Sequence, residues 1–385
     1  MIGALERESF DLKKNKVVAI KAGEQASEVE LREYLDKIIE QFDGLNNIIK
    51  AGETVLIKPN LVAPSEKATT NLLLIEYIID VVKQLGERVI VAESAGFEFS
   101  TAATFKILGI DDLCKRKEVE LINLDDEEYV EIESNNPLVP KYLLPKCLLK
   151  ADKVIDMPRL KGHSITKVTF SIKNLFGLLH RDTRRKIHAT NLDAGIRYLR
   201  ELVKVDFIVV DGLWNLSNAV YGDSEYKGVI VCGTDMLSVD SECCRIFGID
   251  YKTIPHIYYG VEPEYEYVEL NDIGLFGSSI RSDSFHNKKQ RQYKIMYGID
   301  VVINKYLKTS LIPYFHYYAG IRPFIDKNKC INCGKCKEVC PVNAIDVPHI
   351  DRNKCMHVRC MRCLDSCPQN AIVTKGFHSK DVKKK

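Results

Sequence analysis

Two runs of cysteine, each closed by Cys-Pro, set the strongest condition on how this chain folds. The first is Cys330-x2-Cys333-x2-Cys336-x3-Cys340-Pro341, and the second is Cys355-x4-Cys360-x2-Cys363-x3-Cys367-Pro368. They hold eight of the thirteen cysteines, a density that serves metal or disulfide chemistry. Two intervening residues let a tight loop aim successive sulfurs at neighbouring irons of one cube, and the proline after the fourth cysteine ends the loop. The pattern points to [4Fe–4S] clusters in which three cysteines of a run take one cube and the fourth crosses to the other. On that scheme Cys330, Cys333, Cys336 and Cys367 hold one cluster, and Cys340, Cys355, Cys360 and Cys363 the other. The second run departs from the usual spacing, with Met356, His357, Val358 and Arg359 between its first two cysteines. Such an insertion can loop outward and leave ligation intact, and Cys355 is the ligand it bears on most.

Zinc and disulfides are the competing uses of these thiols. Four-cysteine zinc sites favour separated Cys-x2-Cys pairs over three cysteines in a row with a trailing Cys-Pro. Disulfides fit poorly with a long chain whose first sixteen residues are polar and lack the apolar stretch of a secretory signal. No run reaches the roughly 18 apolar residues of a membrane span. Lys and Arg total 55 against 53 Asp and Glu, so nothing global points to nucleic acid or an anionic membrane. The expected setting is the cytoplasm, with Cys114, Cys147, Cys232, Cys243 and Cys244 reduced.

Before the cysteines, short apolar runs alternate with amphipathic stretches. Val17–Ile20, Thr54–Ile57, Val89–Ala92, Glu120–Leu124, Val154–Met157, Phe207–Val210 and Val229–Cys232 read as strands. Val29–Phe42, Leu72–Leu85, Ile165–Leu179, Leu192–Val203 and Ser238–Phe247 read as helices. That alternation predicts an α/β domain with a largely parallel sheet over residues 1–322. A small ferredoxin-type domain over 323–377 and a basic tail over 378–385 follow. Residues 261–322 are hard to read; the aromatic run Tyr314–Tyr318 suggests packing between the two domains.

In parallel sheets ligands bind beyond the carboxyl ends of strands. Five such ends carry small and polar residues: Lys58-Pro59-Asn60, Glu93-Ser94-Ala95-Gly96, Pro158–Ser164, Asp211-Gly212 and Gly233-Thr234-Asp235. With all strands parallel they would share one rim.

Several of these segments together carry a resemblance. They are Lys58-Pro59-Asn60, Thr69-Thr70, Lys161-x-His163, Lys173-Asn174-x-x-Gly177, Asp211-Gly212 and Val239-Asp240. In this combination the chain resembles the domain-of-unknown-function family 362, whose members often carry a ferredoxin-type segment at the C-terminus. The resemblance runs from about Lys16 to Asp250 and includes the cysteines. It implies an α/β fold and iron–sulfur clusters but no settled reaction. Relatives tend to have a glycine-rich loop after Asp-Gly, whereas Leu213–Tyr221 has no glycine and holds the only tryptophan, Trp214.

The chemistry must therefore come from the residues. Lys58, Lys161, His163 and Lys173, with Asn60, Thr69, Thr70 and Asn174, suit a carboxylate or phosphate, because charge-assisted hydrogen bonds are strong and directional. Glu93, Asp211 and Asp240 can orient the lysines or exchange protons. The charge run Arg181–Lys186 reads as a solvated loop. His163, His180 and His188, with Asp211, are a candidate site for a divalent metal, although their spacing matches no local motif. Phosphate-cradling and dinucleotide-binding glycine loops are both missing. The expectation is an iron–sulfur oxidoreductase. Two [4Fe–4S] clusters would relay electrons from a redox partner to a small anionic substrate held by Lys58, Asn60, Thr69, Thr70, Glu93, Lys173 and Asn174. Lys161, His163 and Asp211 would carry the chemistry. The alternative is a non-enzymatic electron-transfer or redox-sensing protein whose α/β domain binds a ligand or partner.

Overall fold

The computed structural model describes residues 15–375, apart from 25, 86–87, 138, 221–223, 277–282, 313–314, 316–317, 319 and 357–358. The basic tail, most of the aromatic run (Tyr314, His316, Tyr317) and two insertion residues (His357, Val358) lie outside the described residues.

Strands β1 (Asn15–Lys21), β2 (Thr54–Pro59), β3 (Arg88–Glu93), β4 (Glu120–Asn123), β5 (Tyr129–Glu133), β6 (Lys141–Pro145), β7 (Lys153–Met157), β8 (Arg159–His163), β9 (Lys167–Thr169), β10 (Phe207–Leu216), β11 (Ser224–Gly233) and β12 (Tyr265–Glu269) belong to the larger lobe. Its main sheet has the order β12-β1-β11-β10-β7-β2-β3-β4, with β8 and β9 extending from β10; β5 and β6 form a separate hairpin. The sheet is mostly parallel. Among its described residues only β11, against both neighbours, and the β8–β9 pair run antiparallel.

Both faces are covered, which explains the near-continuous apolar strands. Alternate residues supply two separate cores. Val17, Ala19, Leu56, Ile90, Ala92, Ile208, Val210, Val229 and Val231 point to one. Val18, Ile20, Val55, Ile57, Val91, Phe207, Val209 and Ile230 point to the other. Helices Glu28–Glu40 and Leu72–Gln84 cover the second face. The helix starts are chemically marked: Ser27 and Glu30 form a capping box, and Asn71 Oδ1 accepts the Leu73 N–H at 2.8 Å.

Two sequence expectations are corrected. Ile165–Leu179 is not one helix. Lys161, Gly162 and His163 pair with Thr169, Val168 and Lys167 as a hairpin, favoured by β-branched Val168 and Thr169. A short helix, Ser171–Asn174, and a 3-10 turn, Leu175–Leu178, follow. The Asp240 carboxylate accepts the N–H groups of Ser171 and Ile172 at 2.8 and 3.1 Å, which fixes the start of that helix. Second, because β11 is antiparallel, Gly233-Thr234-Asp235 lies at the opposite rim. There Asp235 caps the helix Met236–Ile246 through the Ser238 N–H at 2.8 Å.

The smaller lobe is closed by pairing its first strand, β13 (Arg322–Ile325), with its last, β16 (Ile372–Lys375); between them β14 (Ile345–Asp346) pairs with β15 (His349–Ile350). Its two halves repeat. The N–H of Cys330 bonds to the Asp326 carbonyl, and that of Cys355 to the Asp351 carbonyl, each at 3.0 Å. Left-handed residues recur at Asn332, Gly334 and Asn343, then at Arg359, Met361 and Asn370. The Ala344 N–H reaches Cys340 Sγ at 3.2 Å, and the Ala371 N–H reaches Cys367 Sγ at 3.1 Å. Among the described residues no helix is long and apolar enough to cross a membrane.

Candidate functional site

At the rim shared by β2, β3, β7 and β10, polar side chains are buried in one connected network. The Lys58 ammonium ion-pairs with Glu93, both inside the protein, and also donates to its neighbour's carbonyl, Pro59 O, at 3.0 Å. Lys161 Nζ donates to Asn60 Oδ1 at 3.0 Å and to the Ala68 carbonyl at 2.5 Å. Asn60 Nδ2 donates to Asn174 Oδ1 at 2.9 Å, and Asn174 Nδ2 to Asp156 Oδ1 at 2.7 Å. Ser171 Oγ completes the chain onto Asp156 Oδ2 at 2.8 Å. Burial lifts the Asp156 carboxyl to about 7 despite the opposing pull of Lys58 and these hydrogen bonds. Gly177 is required where it stands, since a Cβ there would come within 3.0 Å of Lys58 Nζ and closer still to Glu93.

This network floors a cavity of about 180 Å³. Asn60, Glu93, Lys161, His163, Lys173 and Asn174 line it. His163 Nδ1 accepts the N–H groups of Ile165 and Thr166 at 3.1 and 3.2 Å, so the ring proton sits on Nε2. Burial, with Lys173 nearby, keeps this imidazole neutral by holding its pKa well below the usual 6.5. Burial also lowers the Lys173 ammonium to about 8, its nitrogen 5.5 Å from the Phe176 ring centre.

Four of the expected residues stand apart from the cavity. Lys58 lies beneath its floor. Thr69 donates to the Ser65 carbonyl at 2.9 Å and Thr70 to the Met157 carbonyl at 2.6 Å, so both hydroxyls fasten the loop after β2. Asp211 is spent on an ion pair with Arg159 and on the N–H groups of Asn71 (2.7 Å) and Leu213 (3.0 Å). Buried and fully bonded, it orders the backbone.

The sequence reading missed the cavity's other wall. The run Arg181–Lys186 is not a solvated loop but part of the helix Arg181–Ala189. Arg181 grips Asp125 with two bonds of 2.7 and 2.6 Å, and the guanidiniums of Arg181, Arg184 and Arg185 all surround the Phe97 ring. Arg184 is buried and lines the cavity; its Nη1 donates to the Ala95 carbonyl at 3.3 Å, its Nη2 lies 3.9 Å from the Asp125 carboxylate, and its Nε has no hydrogen-bond partner. Burial lowers it to about 10, which still leaves a cation at neutral pH. His188 Nδ1 donates to the Arg184 carbonyl at 2.8 Å, leaving Nε2 as an acceptor, and burial holds the ring neutral with a pKa of about 3. Tyr297, on the helix Asp283–Leu307, stacks on His188 with ring centres 4.5 Å apart. Phe97, Phe99, Phe176 and Tyr293 also line the space. His180 lies elsewhere, capping its helix through the Asp182 N–H. Among the described residues no three His, Cys, Asp or Glu side chains converge on a single metal ion.

In the smaller lobe the sulfurs surround two cavities rather than two points. Cys330, Cys333, Cys336 and Cys367 line one, and Cys340, Cys355, Cys360 and Cys363 line the other. This lobe touches the larger one through ion pairs Arg362–Glu66 (2.6 Å) and Lys67–Asp365 (3.3 Å), and through Arg362 to the Ile107 carbonyl (2.9 Å). Arg359 donates to the carbonyl of Glu98 and packs 5.3 Å from the Phe99 ring.

An α/β lobe with a buried polar rim and a cysteine-rich lobe that carries a [4Fe–4S] binding domain define the class. Residues 55–245 match the family described as domain of unknown function (DUF362), and residues 323–346 match a 4Fe-4S binding domain. The larger lobe thus carries a DUF362 domain, and the C-terminal lobe carries a 4Fe-4S binding domain. It is 25% identical to the thylakoid-associated protein sll1697 of Synechocystis sp. over 233 residues, 57% of this chain and 71% of that one. Among solved structures it is similar to the lactate racemase apoprotein of Thermoanaerobacterium thermosaccharolyticum, with a TM-score of 0.43 and 12% identity. The match covers 60% of this chain and 57% of the racemase. A protein of Thermotoga maritima gives a TM-score of 0.39 at 12% identity, covering 58% and 59% of the two chains.

Proposed function

We propose that this protein is an iron–sulfur oxidoreductase that passes electrons from a redox partner through two [4Fe–4S] clusters to a small anionic substrate in the rim cavity. Cys330, Cys333, Cys336 and Cys367 would hold one cluster, and Cys340, Cys355, Cys360 and Cys363 the other. The repeated backbone of the two halves and the two four-cysteine cavities support this assignment. When bound, the clusters supply single electrons. The protein's own residues supply the rest. Arg184 and Lys173 offer positive charge to a carboxylate or phosphate, His163 offers an Nε2–H, and His188 offers an acceptor. Lys161 and Asn174 hold Asn60 in place, and the Lys58–Glu93 pair fixes the floor. The aromatic wall keeps water away and favours a flat, partly apolar ligand. The buried Cys114, Cys147, Cys232, Cys243 and Cys244 are free thiols, in keeping with a reducing compartment such as the cytoplasm.

The observation that carries the reading is the buried Arg184 guanidinium lining the cavity, its Nε without a hydrogen-bond partner and its Nη2 3.9 Å from the Asp125 carboxylate. Oxygen-free reconstitution should yield about eight irons per chain. A thermal-shift series with benzoate and inorganic phosphate should stabilise the protein, and Arg184→Met or Lys173→Met should abolish that effect without changing cluster absorbance. Four irons, or equal stabilisation of the variants, would refute it. Binding without turnover in the presence of reduced clusters would instead favour the electron-transfer or sensor reading.

A further inference from the structure

The second cysteine run is longer than the first between its first two members, and the extra residues end in Arg359. In the first half the equivalent left-handed position is Asn332, a residue that tolerates this conformation. An arginine there, at φ 48°, sits in a conformation that a long side chain adopts at a cost. Arg359 is only 4% exposed. Besides its bond to the Glu98 carbonyl, its Nη1 lies 3.8 Å from the Glu98 carboxylate, and its guanidinium packs on Phe99. Glu98 and Phe99 line the rim cavity, and Arg359, next in sequence to Cys360, lines the cavity ringed by Cys340, Cys355, Cys360 and Cys363. The two spaces therefore share a wall. In the other set, Cys333 is exposed, beside an Ile331 that is 60% exposed.

We infer that the two clusters are not equivalent. The one held by Cys340, Cys355, Cys360 and Cys363 exchanges electrons with the rim cavity, and Arg359 is the positioning residue that joins them. The set containing Cys333 faces the outside partner. This rests on the two-cluster reading above and adds its polarity. Arg359, the last residue before Cys360, docks the lobe.

The test is a redox titration of the full reconstituted chain followed by electron paramagnetic resonance, with Cys333→Ser marking the signal of the outer set. Arg359→Gln should lower the midpoint potential of the unmarked signal and leave the marked one in place, because removing a nearby positive charge disfavours the added electron. Arg359→Lys should recover part of the shift. Benzoate should perturb the unmarked signal in the parent protein and lose that effect in Arg359→Gln. Movement of the marked signal, or of both alike, overturns the inference. So does benzoate that binds by calorimetry but perturbs the marked signal. Failure of benzoate to bind counts against the cavity reading alone, and the potentials still decide the role of Arg359.

Discussion

In the α/β lobe the central strands send alternate residues into two apolar layers, whereas the buried core cluster of the cysteine lobe, among the described residues, is just Cys336, Ile345, Cys363 and Ile372. The first has enough apolar area to carry a costly buried polar rim. The second is too small to hold itself by burial, and two of its four core residues are the thiols that would bind iron. Small domains of this size need staples, and metal–thiolate bonds are a strong kind. Stability in one lobe should thus be independent of the cofactor, while in the other it should depend on it.

Iron removal should break the two lobes apart in behaviour. Treatment with a chelator and oxidant is expected to abolish amide-exchange protection across residues 322–375 and to leave the β2–β3–β7–β10 core protected. Persistent protection in the cysteine lobe would mean that it folds without clusters, and the contrast would collapse. Next in size is the buried pair beneath the cavity. Glu93→Ala strands the Lys58 ammonium and should cost about 3–5 kcal/mol in denaturant unfolding. The double change Lys58→Met with Glu93→Leu should cost much less, because no uncompensated charge remains.

Legibility from sequence followed the same division. In the cysteine lobe the two Cys-Pro-closed runs were legible from their spacing, and their sulfurs line two cavities, four to each. In the α/β lobe seven strands were legible from short apolar runs such as Val17–Ile20 and Val229–Cys232, whereas β5, β6, β8, β9 and β12, which lack such runs, were not. The direction of β11 was not, because periodicity carries no sign for direction. Lys161, His163 and Lys173 stood out as cations among apolar neighbours. Arg184 did not, since it lies in a charge run whose other charged members are at least partly exposed, and its burial comes from distant partners, Phe97, Asp125 and the Ala95 carbonyl. Asp156 could have been found: it is the single acid in the strand Lys153–Met157. Tyr293 and Tyr297 come from a helix beyond residue 282, far from any motif.

The polar rim also predicts a pH signature that the cysteine lobe should lack. Asp156 has its carboxyl raised to about 7, so the folded state resists its ionisation. That contribution is intact below the ordinary value of 3.8 and is lost as pH rises through 7, at up to about 1.4 kcal/mol per unit. Asp156→Asn should flatten the slope in urea unfolding measured between pH 5 and 7.5. Lys173, brought down to about 8, predicts that benzoate affinity falls above pH 8, by at most about tenfold per unit. Lys173→Met should bind weakly at every pH and show no such fall.

The smallest effect is expected where the lobes meet. Arg362 and Glu66 form a 2.6 Å pair, but their side chains are 34% and 75% exposed. Water and salt screen such a pair, and two long side chains lose freedom to make it. Arg362→Ala should therefore cost under about 1 kcal/mol, even with the bond to the Ile107 carbonyl lost. Arg359, by contrast, is buried against Glu98 and Phe99, so Arg359→Ala should loosen the interface enough for proteases to cut near residue 322 in the iron-loaded protein. If Arg362→Ala loosens it as much, the lobes are held together by surface charge, and Arg359 has no special hold on the cavity wall.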